Sequence, residues 1–124
     1  MRLLTHNCDL NLKYKAGWTE QQIAEADRKV AALNDLAESG DLAKTLPNRG
    51  STSASTRYKN AGNSVPSGSD VDHIRDLQLG GADEVSNMSP LNSSVNRSLG
   101  KQIQLQLKDL TVGTRINSVT ITNR

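Results

Sequence analysis

A chain of 124 residues and 13.4 kDa has room for one domain and one modest core. Aromatics make up 2% with no Phe, so Leu, Ile, Val and Ala must do the packing; the net charge of +2 suits a nucleic-acid partner but falls short of a polybasic, non-catalytic binder. The single Cys8 excludes an intrachain disulfide, no window approaches the roughly 18-residue apolar run of a membrane span, and residues 1–6 lack the apolar region of a signal peptide.

Residues 1–16 show no clear periodicity and read as an irregular or linker segment. The first helix is expected from about Glu20 to Ser39, within a scaffold region of residues 19–39. Thr19 is a good N-cap, Gln22 completes a capping box, and Trp18 can staple onto Ile23. Ala26, Val30, Leu33 and Ala37 then line one face, and Gly40 supplies the stop. The other face, with Glu25, Arg28, Lys29 and Asp35, reads as solvated, and Trp18 reads as a packing residue rather than a base-stacking one.

From Pro47 to Ser69, sixteen of twenty-three residues are Gly, Ser, Thr, Asn or Pro, a tract that cannot build a core by itself. Within it, residues 54–61 suit a short helix closed by Gly62. Arg57, Tyr58 and Lys59 there bring two cations and an aromatic together, useful against a phosphate and a sugar or base; the plainer reading is an exposed turn with ordinary charges. Val71-Asp72-His73-Ile74 reads as a short strand. Strict alternation would set Asp72 and His73 on opposite faces, so joint action needs a twist or a strand end.

Downstream, Ser89 followed by Pro90 reads as the cap and first position of a helix on which Leu91, Val95, Leu99, Ile103 and Leu107 repeat. Gly100 is expected to split it into a short motif helix and a longer second one. Asn92 and Asn96 lie one turn apart, so either can point at a site. After Gly113, residues 116–121 suggest a terminal strand.

The chemistry concentrates in residues 70–100. Asp70, Asp72, Asp76, Asp83 and Glu84 fall within fifteen residues, and a bare acidic cluster repels phosphate, so its value lies in holding a cation. Asp72-His73 is followed by Asn87 fourteen residues after the histidine and by Asn96 nine beyond that, with Gly80-Gly81 permitting a sharp reversal between them. Asp72 reads as an anionic metal ligand and Asn96 as a neutral amide ligand. His73, mostly neutral at physiological pH, reads as a general base, and Asn87 as a brace for the loop. Oxygen donors suit Mg²⁺ or Mn²⁺ better than Zn²⁺. Arg57, Lys59, Arg97 and Lys101 are the expected phosphate-facing cations. His6 has no comparable company.

This pattern resembles the HNH (ββα-metal) endonucleases, in which a strand carries Asp-His or His-His, a loop follows, and a helix returns the last ligand. The resemblance implies an α+β fold with a small ββα-metal motif and additional N-terminal and C-terminal helices. It matches Asp72 to the ligand of the Asp-His pair, His73 to the base, Asn87 to the central Asn and Asn96 to the last ligand. Many members have His at that last position; Asn occurs there in the HNH domains of RNA-guided nucleases. Across about residues 17–115, blocks such as residues 57–63, 77–83, 87–91 and 95–100 look like the C-terminal nuclease tips of Rhs-type polymorphic bacterial toxins. That likeness implies an excised tip of a longer effector, delivery into the cytoplasm of a rival bacterium, DNA as substrate and a cognate immunity protein in the producer. No membrane partner is expected, and the domain is expected to act as a monomer. Two other readings fit the same residues: a phage or restriction-type HNH nuclease, and an inactive nucleic-acid-binding module.

Overall fold

The structure, a computed structural model, describes residues 7–47 and 52–123. Residues 1–6 of the expected linker and 48–51 of the Ser- and Gly-rich tract lie outside these. The rest of the N-terminal segment is not linker. Asn7–Lys13 forms a strand, β1, that pairs in parallel with the terminal strand β4, Arg115–Thr122. Leu10 and Leu12 are completely buried, while Asp9, Asn11 and Lys13 face outward. A period of two over so short a run, interrupted by polar residues, is hard to separate from irregular chain until its partner is known.

Helix α1, Glu20–Glu38, is closed at its N-terminus by the capping box. Thr19 Oγ1 accepts from the Gln22 amide at 3.2 Å, and Gln22 Oε1 accepts from the Thr19 amide at 2.8 Å. Trp18 packs on the core and donates its indole N–H to Ser94 Oγ at 3.0 Å. Gly40, with φ 85°, follows the Ser39 C-cap. The buried stripe is Ala26, Lys29, Val30, Leu33 and Ala37, so Lys29 does not belong to the solvated face. A short helix α2, Ala54–Asn60, follows, with Ser53 as N-cap.

Strand β2, Ser69–His73, pairs antiparallel with β3, Met88–Asn92. The expected helix start at Ser89-Pro90 is therefore a strand, and the register explains why proline is tolerated there. The Ile74 amide donates to the Asn87 carbonyl at 2.8 Å, which makes positions 74 and 87 a hydrogen-bonded pair. Alternation then puts Val71 and Pro90 at a non-hydrogen-bonded pair, where the missing N–H of proline costs the ladder nothing. The helix begins later, with Asn92 as cap: its Oδ1 accepts from the amides of Ser94 at 3.0 Å and Val95 at 3.2 Å.

Helix α3, Ser93–Leu107, is continuous through Gly100, and the chain then leads to β4. The expected division into two helices, and with it an additional C-terminal helix, is not observed among the described residues. Burial of Val95, Leu99, Ile103 and Leu107 on either side of Gly100 outweighs the roughly 1 kcal/mol that one helical glycine costs. The result is an α+β domain. Helices α1 and α3 share one core with β1 and β4, and the β2–β3–α3 unit is inserted between the two parallel strands. Helix α3 also covers the open edge of β1. Gln106 exchanges hydrogen bonds with the amide and carbonyl of Asn11, at 3.0 and 2.8 Å, and Gln102 does the same with Lys13 at 2.8 and 3.0 Å. Two side-chain amides one helical turn apart thus stand in for a neighbouring strand. No helix among the described residues is long and apolar enough to cross a membrane.

A Cβ added at Gly100 would meet nothing within 4 Å. Gly100→Ala is therefore expected to stabilise the fold by about 0.5–1 kcal/mol, read as a higher urea midpoint with an unchanged m-value. A loss of stability would mean that the helix needs a backbone freedom at this point that its dihedrals do not show.

Candidate active site

The site grows from the end of β2. Asp72 and His73 are neighbours in sequence, yet both line one cleft of about 550 Å³, together with Asn96 from α3. The alternation problem is solved because β2 ends at His73, where α1 reaches in. Lys29 Nζ donates to Asp72 Oδ2 at 2.8 Å, to the His73 carbonyl at 2.5 Å and to the Ile74 carbonyl at 3.3 Å. Burial raises the Asp72 carboxyl above its ordinary range, opposed by Lys29 and reinforced by the charge of Asp76. The Lys29 side chain is only 5% exposed, so Oδ2 of Asp72 faces inward; Oδ1 has no hydrogen-bond partner among the described residues.

His73 is held at its other side. Nε2 lies 2.8 Å from Asp83 Oδ1. A carboxylate oxygen accepts, so in the neutral imidazole Nε2 carries the proton and Nδ1 the lone pair. Asp83 is fixed in turn by Arg57, whose Nη1 donates to the Asp83 carbonyl at 2.6 Å. Arg57 Nη2 sits 2.6 Å from Oδ1 but off the hydrogen-bond line, an ion pair without a bond. Arg57 therefore turns inward to hold the loop and is not presented to a phosphate, in contrast to the expectation from sequence.

Asn96 donates its amide to Asp70 Oδ2 at 2.9 Å. That bond fixes which end of the amide is which, and the acceptor Oδ1 carries no hydrogen bond among the described residues. Asp70 also accepts from Ser93 at 2.8 Å and from Arg97 at 3.2 Å. Burial alone would raise the Asp70 carboxyl, but hydrogen bonds from Asn96, Ser93 and Arg97 outweigh it and hold the group below its ordinary range.

Asn87 stays out of the cleft wall and spans the loop between β2 and β3. Its Oδ1 accepts from the Arg75 amide at 2.9 Å, and its Nδ2 donates to the carbonyls of Arg75 and Ala82, each at 2.9 Å. Gly81 is needed beside it, because a Cβ there would overlap the Arg75 carbonyl. Leu77 and Leu79 anchor the loop in the interior, and Thr45 ties it to the segment after α1 through the Leu77 carbonyl and the Gly80 amide.

Lys101 and Arg97 border the cleft, and a second cleft containing Lys59 shares Val71, Asn96 and Arg97 with it. The two form one groove across the first half of α3. Among the described residues, no three His, Cys, Asp or Glu side chains gather to hold a metal. The oxygens in the cleft wall without a hydrogen bond among the described residues include Oδ1 of Asp72, Oδ2 of Asp76 and Oδ1 of Asn96, with room for water. That set fits a hard cation such as Mg²⁺ or Mn²⁺ and lacks the imidazole or thiolate cage of structural zinc.

Sequence reasoning set Lys29 on the solvated face and Asp70 and Asp83 in a cation-holding cluster, whereas Lys29 is buried against Asp72, and Asp70 and Asp83 hold Asn96 and His73. Lys29 was detectable in principle, since it lies three residues after Ala26 and four before Leu33, inside the apolar stripe. Asp83 gave no such signal, because a loop acid does not announce which side chain it meets. Compared with known proteins, the chain matches no family model, no curated protein and no solved structure.

The Asp70 cluster yields a prediction with a definite sign. Its carboxyl is lowered in the folded chain, so its stabilisation is present above the unfolded value near pH 4 and fades as pH falls through the folded value. Asp70→Asn is expected to lower the urea midpoint at neutral pH, with the gap to the parent closing below about pH 4. A gap independent of pH would show that Asp70 acts by shape alone.

Proposed function

We propose that this chain is a metal-dependent DNA endonuclease of the HNH type. One observation carries the reading: Asp72, His73 and Asn96 line a single cleft, each with one polar atom held by a neighbour and another left unbonded among the described residues. Those unbonded atoms are a carboxylate oxygen, an imidazole nitrogen and an amide oxygen. They are the two ligands and the base that phosphodiester hydrolysis requires. The strand–loop–strand–helix order of β2, β3 and α3 supports it further.

In this mechanism His73 Nδ1 takes a proton from the attacking water as the new oxygen–phosphorus bond forms. The bond from phosphorus to the 3′ oxygen breaks opposite, and solvent protonates the leaving oxygen. Asp83 holds the imidazole in the required tautomer and orientation, and Asp70 holds Asn96 with its oxygen free. A Mg²⁺ or Mn²⁺ ion on Asp72 and Asn96 supplies neutralisation of charge at the phosphate and the leaving oxygen when bound. Lys59, Arg97 and Lys101 follow the phosphates along the groove. Little base selectivity is expected, because side chains that meet phosphates carry no sequence information.

The likeness to Rhs-type nuclease tips supports a finer proposal. The domain acts as an antibacterial toxin in the cytoplasm of a target cell, and its producer makes a small acidic immunity protein. Such a partner would be steered by charge to Lys59, Arg97 and Lys101.

Purified protein is expected to nick plasmid DNA with Mg²⁺ or Mn²⁺, and chelation is expected to stop it. His73→Ala should slow cleavage by about 10²–10⁴-fold while leaving DNA binding nearly unchanged. Undiminished cleavage in EDTA would overturn the metal assignment, and an active His73→Ala would overturn the base.

Expression in bacteria without an inhibitor should arrest growth with DNA damage, and His73→Ala should relieve it. Normal growth with active enzyme verified in the lysate would leave the nuclease and remove the toxin.

A further inference from the structure

Lys29 has no part in the chemistry above, yet it is the most deeply placed charge near the site. An ammonium has three protons, and those of Lys29 meet three oxygens at the end of β2: Asp72 Oδ2, the His73 carbonyl and the Ile74 carbonyl. Its charge is therefore fixed against the carboxylate proposed to hold the cation. Around the cleft, Asp70, Asp72, Asp76 and Asp83 stand against Lys29, Arg57, Arg97 and Lys101, four negative charges and four positive. Asp70 and Asp83 are each paired with an arginine, and Asp72 is paired with Lys29. A divalent cation approaching the free protein finds at Asp72 one unbonded carboxylate oxygen whose charge Lys29 already balances; Asp76, which lines the same cleft, also keeps its Oδ2 unbonded among the described residues. A phosphodiester adds a negative charge and two non-bridging oxygens at the same place.

We propose that Lys29 makes cation binding at Asp72 conditional on nucleic acid. By holding the inward oxygen it limits Asp72 to a single ligand atom, and by cancelling the charge it keeps the free site a poor trap for Mg²⁺ or Mn²⁺. The cation and the phosphate then enter as a mutually dependent pair. Linkage requires the effect to be reciprocal, so the cation must tighten DNA binding by the same factor. This inference rests on the nuclease reading.

The test is Mn²⁺ titration followed by electron paramagnetic resonance, in three settings. One is the parent protein alone. Another is His73→Ala with a short DNA duplex, which stays uncut. The third is His73→Ala/Asp72→Asn with the same duplex, to subtract Mn²⁺ held by DNA; asparagine there still gives Lys29 an acceptor oxygen. The Asp72-dependent site is expected to be at least about ten-fold tighter with DNA than without. Duplex affinity of His73→Ala should rise by the same factor when Mn²⁺ is added. Lys29→Met should tighten Mn²⁺ binding to the free protein, and if that variant fails to fold the comparison with and without DNA still decides. Equal Mn²⁺ affinity in the free and DNA-bound protein, lost with Asp72→Asn, would overturn the inference and leave the nuclease reading intact. No Asp72-dependent Mn²⁺ in either state would overturn the metal-dependent reading itself.

Discussion

Removing an ammonium from water costs several kcal/mol unless its protons and charge are met, and breaking such a buried pair costs about 3–5 kcal/mol. Lys29 meets that requirement only because β2 ends where it does, with two consecutive carbonyls and a carboxylate turned toward α1. The dependence runs both ways. The strand end is fixed by the ammonium, and the ammonium is tolerated in the apolar stripe because of the strand end. Through this one side chain the scaffold helix determines where Asp72 and His73 stand. The core that holds α1 is therefore also what positions the site.

Around that anchor, most of the polar side chains are assigned to one another before any ligand arrives. Asp83 sits between Arg57 and His73, Asp70 between Arg97 and Asn96, and Asn87 spans the loop that separates the two halves. Each residue proposed to touch metal or water has a second residue that fixes its rotamer. Fixed rotamers matter in a small domain, because a site this shallow has little surrounding mass to hold a loose side chain in place. The arrangement also accounts for the acidic cluster. Asp70 and Asp83 are spent on positioning, whereas Asp72 and Asp76, both in the cleft wall, each keep one oxygen without a hydrogen bond among the described residues.

The sequence made some of this legible and hid the rest for identifiable reasons. The capping box of α1 and the glycine after it are local signals, and the helix begins and ends where they say. Helix α2 is equally local. Strand β1 was not legible, because Leu10 and Leu12 gain meaning only from β4, more than a hundred residues away. Strand β3 was hidden by a misleading local signal: Ser89-Pro90 suits a helix start, but pairing with β2 overrides it at a position where proline costs no hydrogen bond. In the site, the spacing of Asp72, His73, Asn87 and Asn96 picks out residues that the fold brings to one cleft and, for Asn87, to the loop beside it. The partners Lys29 and Asp83 come from other elements, and a single sequence carries no record of such meetings.

The division of labour among the cations follows from the same geometry. Arg57 looked like a phosphate contact because it neighbours Tyr58 and Lys59, yet its planar fork is used on Asp83. Lys59 and Lys101 remain exposed, each lining one of the two adjoining clefts, and Arg97, 75% exposed, is shared with Asp70. A guanidinium suits the fixed, two-point task inside the loop, whereas a lysine on a flexible stem suits a phosphate whose position varies along a nucleic acid. On the proposed nuclease reading, loss of Lys59 or Lys101 weakens binding, most at low salt, and flattens its salt dependence. Loss of Arg57 acts through Asp83 on the orientation of His73. On the proposed reading, only the second of these effects reaches the chemical step.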